Sequence, residues 1–167
     1  MSPLNSSDAL SLRAAEGWFE LGLYNEADAE LQCITPEARL HPEVLQLRWE
    51  MHTAQKRWDA AVEVARELLR IAPECETNWL HHAYALRRAA DGGLGKAFEA
   101  LQPAVEKFPD EPIIPFNLAC YTCQMGQLAE AQKWLRRALD VGGKKQIKLM
   151  ALADEDMKPL WKEIAEL

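Results

Sequence analysis

The chain has 167 residues, of which 49% are apolar and 27% charged, with a formal net charge of −7. That length supplies one core and not two comfortable domains, and the acidity disfavours non-specific binding to nucleic acid or to an anionic membrane. No apolar run approaches the ~18–20 residues of a membrane span. The start MSPLNSSDAL lacks a signal-peptide pattern, and Cys33, Cys75, Cys120 and Cys123 show no disulfide-framework spacing. Together these read as a reducing, cytoplasmic setting.

In chain order, the pattern predicts frayed residues at Met1 to Ser7, with Ser7 or Asp8 as the N-cap of a helix that runs to about Leu21. Gly22 turns the chain, and Glu26 to about Ile34 is the partner helix. Thr35 to His41 is a connector, and Pro42 suits a first helical turn. A second pair follows at Pro42–Gln55 and Trp58–Ile71, and a third at Glu76–Ala90 and Gly95–Phe108. Pro103 lies inside that last helix, removes a backbone hydrogen bond and kinks it. The segment Phe108-Pro109-Asp110-Glu111-Pro112 stops one helix and starts the next. Asn117–Gln124 and Leu128–Leu139 form a fourth hairpin around Met125-Gly126-Gln127. Beyond Gly142-Gly143, Lys145–Ala153 is a short amphipathic segment. Asp154-Glu155-Asp156 supplies acids to the first turn of a last helix ending near Leu167.

These hairpins are copies of one another. Ala27 and Ala61 are 34 residues apart, as are Ala97 and Ala131, while Ala61 to Ala97 is 36. Leu31, Ala65, Leu101 and Leu135 keep the same offsets, as do Ile34, Leu68, Ala104 and Ala138, and upstream Tyr24, Trp58, Leu94 and Leu128. The two extra residues fall within Asp91-Gly92-Gly93-Leu94-Gly95, where a turn absorbs them. Small residues at Ala119 and Ala131 let paired backbones approach closely.

A 34-residue period of helix–turn–helix units resembles the tetratricopeptide repeat, whose pattern runs W-x2-L-G-x2-Y, then A-x3-F, then P. Trp79 and Ala83 match its start in the third unit, and Leu118-Ala119 match it in the fourth. Trp49 stands where a small residue is usual in the second unit, which predicts a wider helix pair there. Pro115 takes the usual Trp place in the fourth. The resemblance covers about Asp8 to Gly143. It implies one all-α domain over residues 1–167, a right-handed α-solenoid with repeats near 8–41, 42–75, 76–111 and 112–143. Residues 144–167 are a C-terminal helical cap, which solenoids need to cover their last apolar face. Leu149, Leu152, Met157, Leu160, Trp161 and Ile164 are expected against that face.

In this fold the first helices of successive pairs line a concave groove, the usual binding surface. The positions expected to face it are Arg13, Glu16 and Glu20, then Gln46, Glu50 and Thr53. They continue with His81, Tyr84, Arg87 and Arg88, and with Phe116, Asn117, Cys120 and Gln124. Arg87 and Arg88 beside His81 and Tyr84 make a basic, aromatic spot in an acidic chain, suited to gripping a carboxylate. Relatives that bind chaperone C-termini use Lys and Asn at set places on the first helices. Only Asn117 matches here, and Glu16 and Glu50 would repel a carboxylate.

Cys120-Tyr-Thr-Cys123 is a CxxC motif, read as groove lining or packing, since it lies mid-helix without a second ligand pair. His81 and His82 are adjacent, point to different faces and cannot chelate one ion. His52 is expected as a hydrogen-bonded core histidine near Trp49. The six tryptophans fall mostly at core places of the repeat. No phosphate-cradling loop, nucleophile elbow or helix-borne His pair is present. The expectation is a non-enzymatic interaction module with no cofactor or metal, holding a peptide of a protein partner in its groove. Three alternatives stay open: a cytoplasmic secretion-type chaperone, a thiol or metal site at Cys120 and Cys123, and a self-assembling homo-oligomer.

Overall fold

The computed structural model describes residues 3–166, and these form eleven α-helices and two 3-10 turns, with no strand among them. They fall into two compact units, one ending at Pro73 and the other beginning at Glu74.

Unit one contains α1 (Ser6–Glu20), α2 (Tyr24–Cys33), α3 (Pro42–Ala54) and α4 (Trp58–Ile71), paired α1 on α2 and α3 on α4. Its core holds Leu12, Ala15, Ala27, Leu31, Ile34, Val44, Leu47 and Met51. Helix α1 starts earlier than its sequence suggests, because Asn5 and not Ser7 or Asp8 is the N-cap: its Oδ1 accepts the Asp8 amide at 2.9 Å. Asp8 is thereby released for another task. It is only 2% exposed, and its carboxylate accepts from the Thr35 amide (2.8 Å) and hydroxyl (2.7 Å) and from Asn5 Nδ2. These bonds, the Thr35 amide foremost, hold the Asp8 carboxyl below the usual carboxylate range, against the opposing effect of burial. One side chain thus ties the start of α1 to the end of α2.

Unit two contains α5 (Glu76–Leu86), α6 (Leu94–Leu101), α7 (Ala104–Lys107), α8 (Ile113–Gln124), α9 (Leu128–Gly142), α10 (Lys144–Ala153) and α11 (Trp161–Glu166). The break between α6 and α7 falls at Gln102-Pro103, so Pro103 ends one helix and begins another, and does more than bend one. Helix α5 ends at Leu86, short of the expected Ala90.

The four columns of the repeat are borne out position by position. Tyr24, Trp58, Leu94 and Leu128 are the first residues of α2, α4, α6 and α9. Ala27, Ala61, Ala97 and Ala131 are wholly buried, and the columns that follow them one and two turns later are buried throughout. A residue with no side chain beyond Cβ is what lets paired helices close at this contact. The period changes where the turn does. Three hairpin loops are three residues long (21–23, 55–57 and 125–127), and the third unit's runs over 87–93.

The three short loops share one helix ending. The central residue has a left-handed backbone, at Gly22 (φ 74°), Lys56 (φ 56°) and Gly126 (φ 77°). Its amide donates three residues back, to Phe19, Thr53 and Cys123, and the next amide donates five back, to Trp18, His52 and Thr122, all at 2.8–3.0 Å. This is the Schellman arrangement, in which glycine carries no Cβ penalty and lysine does. Lys56→Gly is therefore expected to stabilise unit one by about 0.5–1 kcal/mol, seen as a higher urea midpoint. A midpoint at or below that of the wild type would contradict the shared loop geometry.

Candidate functional site

The first-helix positions singled out from the sequence divide by unit. In unit one Arg13, Glu16 and Glu20 are exposed on α1, a quarter-turn from its core face of Asp8, Leu12 and Ala15. On α3, Gln46, Glu50 and Thr53 are half-buried; Gln46 Nε2 donates to Glu50 Oε1 at 2.8 Å, and the Thr53 hydroxyl donates to the Glu50 carbonyl. This face is acidic, with three glutamates to one arginine. Of the six tryptophans, expected mostly at core places, Trp18 is 37% exposed on α1, whereas Trp49 is buried. His52 also departs from expectation: it is half-buried, and its buried Nδ1 has no hydrogen-bond partner.

In unit two the chain covers its own face. After α10, residues Glu155–Leu160 form a 3-10 turn that packs along α8, with lesser contacts to α9 and α10. Asp154 Oδ1 caps this turn by accepting from the Asp156 amide at 2.9 Å. Met157 and Leu160 are inserted into the core, together with Ile147, Ala151 and Ile164. Leu149, expected among them, is 60% exposed. Burial of each such large apolar side chain contributes about 1.5–3 kcal/mol, so the tail is fixed chiefly by its aliphatic residues.

Polar contacts set its register. Arg87, the C-cap of α5, donates through Nη1 to Asp156 Oδ2 at 2.8 Å, with both side chains largely withdrawn from solvent. The guanidinium carbon lies 5.3 Å from the centre of the Tyr121 ring. Burial opposes the Arg87 charge, but the hydrogen bond and charge of Asp156 outweigh it and hold the group above its ordinary value. Gln124 Nε2 donates to the Asp156 carbonyl at 3.1 Å. Of the basic, aromatic spot read from the sequence, Arg87 pairs with a carboxylate, and that carboxylate belongs to the chain's own tail, while Arg88 turns to the Tyr84 carbonyl. An Arg87→Ala change is expected to destabilise unit two by about 1–2 kcal/mol, between the values for a surface and a buried pair. The exchange Arg87→Asp with Asp156→Arg should recover part of that loss in a double-mutant cycle. Strict additivity would argue against the contact.

The tail also reaches Cys120 among the remaining candidates. Phe116 and Cys120, expected to line an open groove, are 5% and 2% exposed. The Cys120 thiol lies under the tail and donates to Asp154 Oδ2 at 3.7 Å. Burial, reinforced by the negative charges of Asp154 and Asp156, pushes this thiol up, and burial pushes Cys123 up as well. Reactive and metal-binding cysteines need the reverse shift. The thiol reading of the CxxC motif is therefore not supported. Among the described residues no group of three or more His, Cys, Asp or Glu could hold a metal ion, and no helix is long and apolar enough to cross a membrane. Asn117 turns its amide back to the Ile113 carbonyl at 2.9 Å. Burial drives His81 down to about 4, so it is neutral at physiological pH. Arg88 stacks over the Tyr84 ring with its guanidinium carbon 3.8 Å from the centroid, and donates to the Tyr84 carbonyl.

The tail residues that matter here, Asp154 and Asp156, read from the sequence only as first-turn acids. One signal did point to a cover. Helix α8 is apolar on every side, from Ile114 through Cys123, and a helix apolar all round is buried all round.

No protein-family model matches the chain. No curated protein matches it either. Solved structures do. MamA from Desulfovibrio magneticus RS-1, from residue 41 to its end, aligns at TM-score 0.71 and 16% identity over 99% of this chain and 97% of that one. A thermophilic TPR protein of Thermus thermophilus aligns at TM-score 0.67 and 17% identity, over 94% and 82%. Another crystal structure of MamA gives TM-score 0.70 at 16% identity, over 83% and 80%. At these identities the likeness establishes a shared fold.

Proposed function

We propose, for a chain that has the tetratricopeptide-repeat fold, that it is a protein-interaction module that binds a segment of a partner protein and performs no chemistry of its own. The observation that carries this reading is the contrast between two first-helix faces. In unit two α8 and the end of α5 already hold a peptide segment, the chain's own tail, through an ion pair from Arg87, an amide contact from Gln124 and the inserted side chains of Met157 and Leu160. In unit one Arg13, Glu16 and Glu20 stay exposed along α1, with Gln46, Glu50 and Thr53 half-exposed on α3. A face of that kind is the surface on which repeat proteins gather side chains for a ligand.

Its three glutamates select a cationic or polar segment, because desolvating a carboxylate partner against them would be repulsive. His81, Tyr84, Arg88 and Asn117 are secondary contributors on unit two. The test is capture from native lysate by the wild type and by Glu16→Lys/Glu20→Lys/Glu50→Lys, with folding of both verified by circular dichroism. A lysine-rich or arginine-rich partner retained by the first and lost by the second supports the assignment. Partners shared equally by the two proteins would remove α1 and α3 as the binding face.

A further inference from the structure

In unit one the N-terminal end of α2, the C-terminal end of α3 and the residue preceding α4 surround a polar cleft of about 220 Å³. Tyr24, Asn25 and Asp28 line it from α2, Arg48 and His52 from α3, and Arg57 from the start of α4. Among the arginines, Arg39, Arg66, Arg70, Arg87, Arg88 and Arg137 each donate to a carbonyl or carboxylate. The guanidinium groups of Arg48 and Arg57, like those of Arg13 and Arg136, have no such bond with a described residue, but Arg48 is half-buried. Arg48 Nε and His52 Nδ1 are both shut off from solvent without a hydrogen-bond partner. Native proteins leave few such atoms unmatched, and a water, an ion or a ligand is what satisfies them.

The charge balance points the same way. Asp28 is the one carboxylate in this lining, and its Oδ2 already accepts from Gln32 Nε2 at 2.8 Å. Two permanent cations thus face one anion, in a chain whose net charge is −7. Asn25 adds an amide donor, and α2 begins without a side-chain cap, so its first backbone amides add further donors at this end. Burial, followed by the charges of Arg57 and Arg48, holds His52 below its ordinary value against the pull of Asp28. An anion entering the cleft would oppose the two arginine charges.

We propose that this cleft binds a phosphate group. The donors approach from three elements, and a tetrahedral oxyanion presents an oxygen to each of them. A planar carboxylate is satisfied by a single guanidinium fork. The site is separate from the α1 and α3 positions assigned above to a partner segment.

The test follows His52 and the Arg48 and Arg57 side-chain Nε–H signals by NMR while inorganic phosphate, or acetate, is titrated at fixed ionic strength. Saturable shifts with phosphate are expected, with acetate weaker by about tenfold or more. Arg57→Gln, at an exposed position whose side chain makes no hydrogen bond with a described residue, leaves the fold intact and should weaken phosphate about tenfold. Arg48→Gln should weaken it further. On binding, the His52 titration should move upward. Glycerol phosphate and a phosphoserine peptide distinguish a small-molecule source from a protein source, and tighter binding of either one upholds the site. Non-saturating shifts, equal binding of acetate and phosphate, or an Arg57→Gln protein that binds like the wild type would each overturn it.

Discussion

Gly92→Ala is expected to destabilise unit two by about 3 kcal/mol, at the upper end of the range for overpacked sites. The cause is local and rigid. A Cβ on residue 92 would lie 1.7 Å from the Leu86 carbonyl oxygen, 2.9 Å from its carbon and 3.1 Å from the Ala89 oxygen. All three are backbone atoms, so no side chain can swing aside. The Leu86 oxygen also accepts the Gly93 amide at 3.0 Å, which closes the end of α5, and the added methyl group would break that closure. Gly95→Ala is the matched control. Nothing lies within 4 Å of its Cβ, and it sits inside α6, so it should stabilise by about 0.5–1 kcal/mol. Urea denaturation of the two variants should move in opposite directions. A neutral Gly92→Ala would show that the loop of the third repeat runs differently.

Leu160→Ala is expected to cost about 2–5 kcal/mol, the range for removing a buried leucine. Leu160 is 1% exposed and belongs to the same buried cluster as Leu118, Leu135 and Ile164. The loss would separate a tail that is part of the core from a tail that merely lies on it. Leu149→Ala supplies the contrast, because that leucine is 60% exposed and its truncation should stay within about 0.5 kcal/mol. Equal effects at the two leucines would contradict the seating of the tail.

The repeat was legible because it rests on a steric requirement of each pair. Wherever a second helix meets its first, an alanine recurs, and the column Ala27, Ala61, Ala97 and Ala131 locates every contact. The change of period at Asp91–Gly95 likewise located the longer loop. Helix ends were less legible. Asn5 displaced Ser7 and Asp8 as the cap because Asp8 is drawn away by Thr35, a contact 27 residues distant that no local pattern carries. Helix α5 stops at Leu86 because the Leu86 carbonyl bonds the Gly93 amide, not an amide one turn on within a continuing helix.

The candidate site divides in the same way. Positions on α1 are exposed as the helical period implies, since nothing beyond the helix decides it. Cys120 and Arg87 are withdrawn because the tail returns to them, and a returning tail is a long-range event. Arg87 and Asp156 are 69 residues apart, and two opposite charges at that separation have countless rivals in a sequence. The largely apolar character of α8 is a local trace of it, beside the apolar residues of the tail that the sequence places as a cap.

The most direct test of the seated tail uses the four cysteines as reporters. Native alkylation read by mass spectrometry should label Cys33, which is exposed, and then the half-buried Cys75, while Cys120 and Cys123 resist. In Leu160→Ala, Cys120 should become the first of the protected pair to react, because the tail lies directly over it. Protection of Cys120 in the intact chain and its loss in the variant is the predicted result. Labelling of Cys120 as fast as Cys33 in the intact chain would contradict a tail seated on α8.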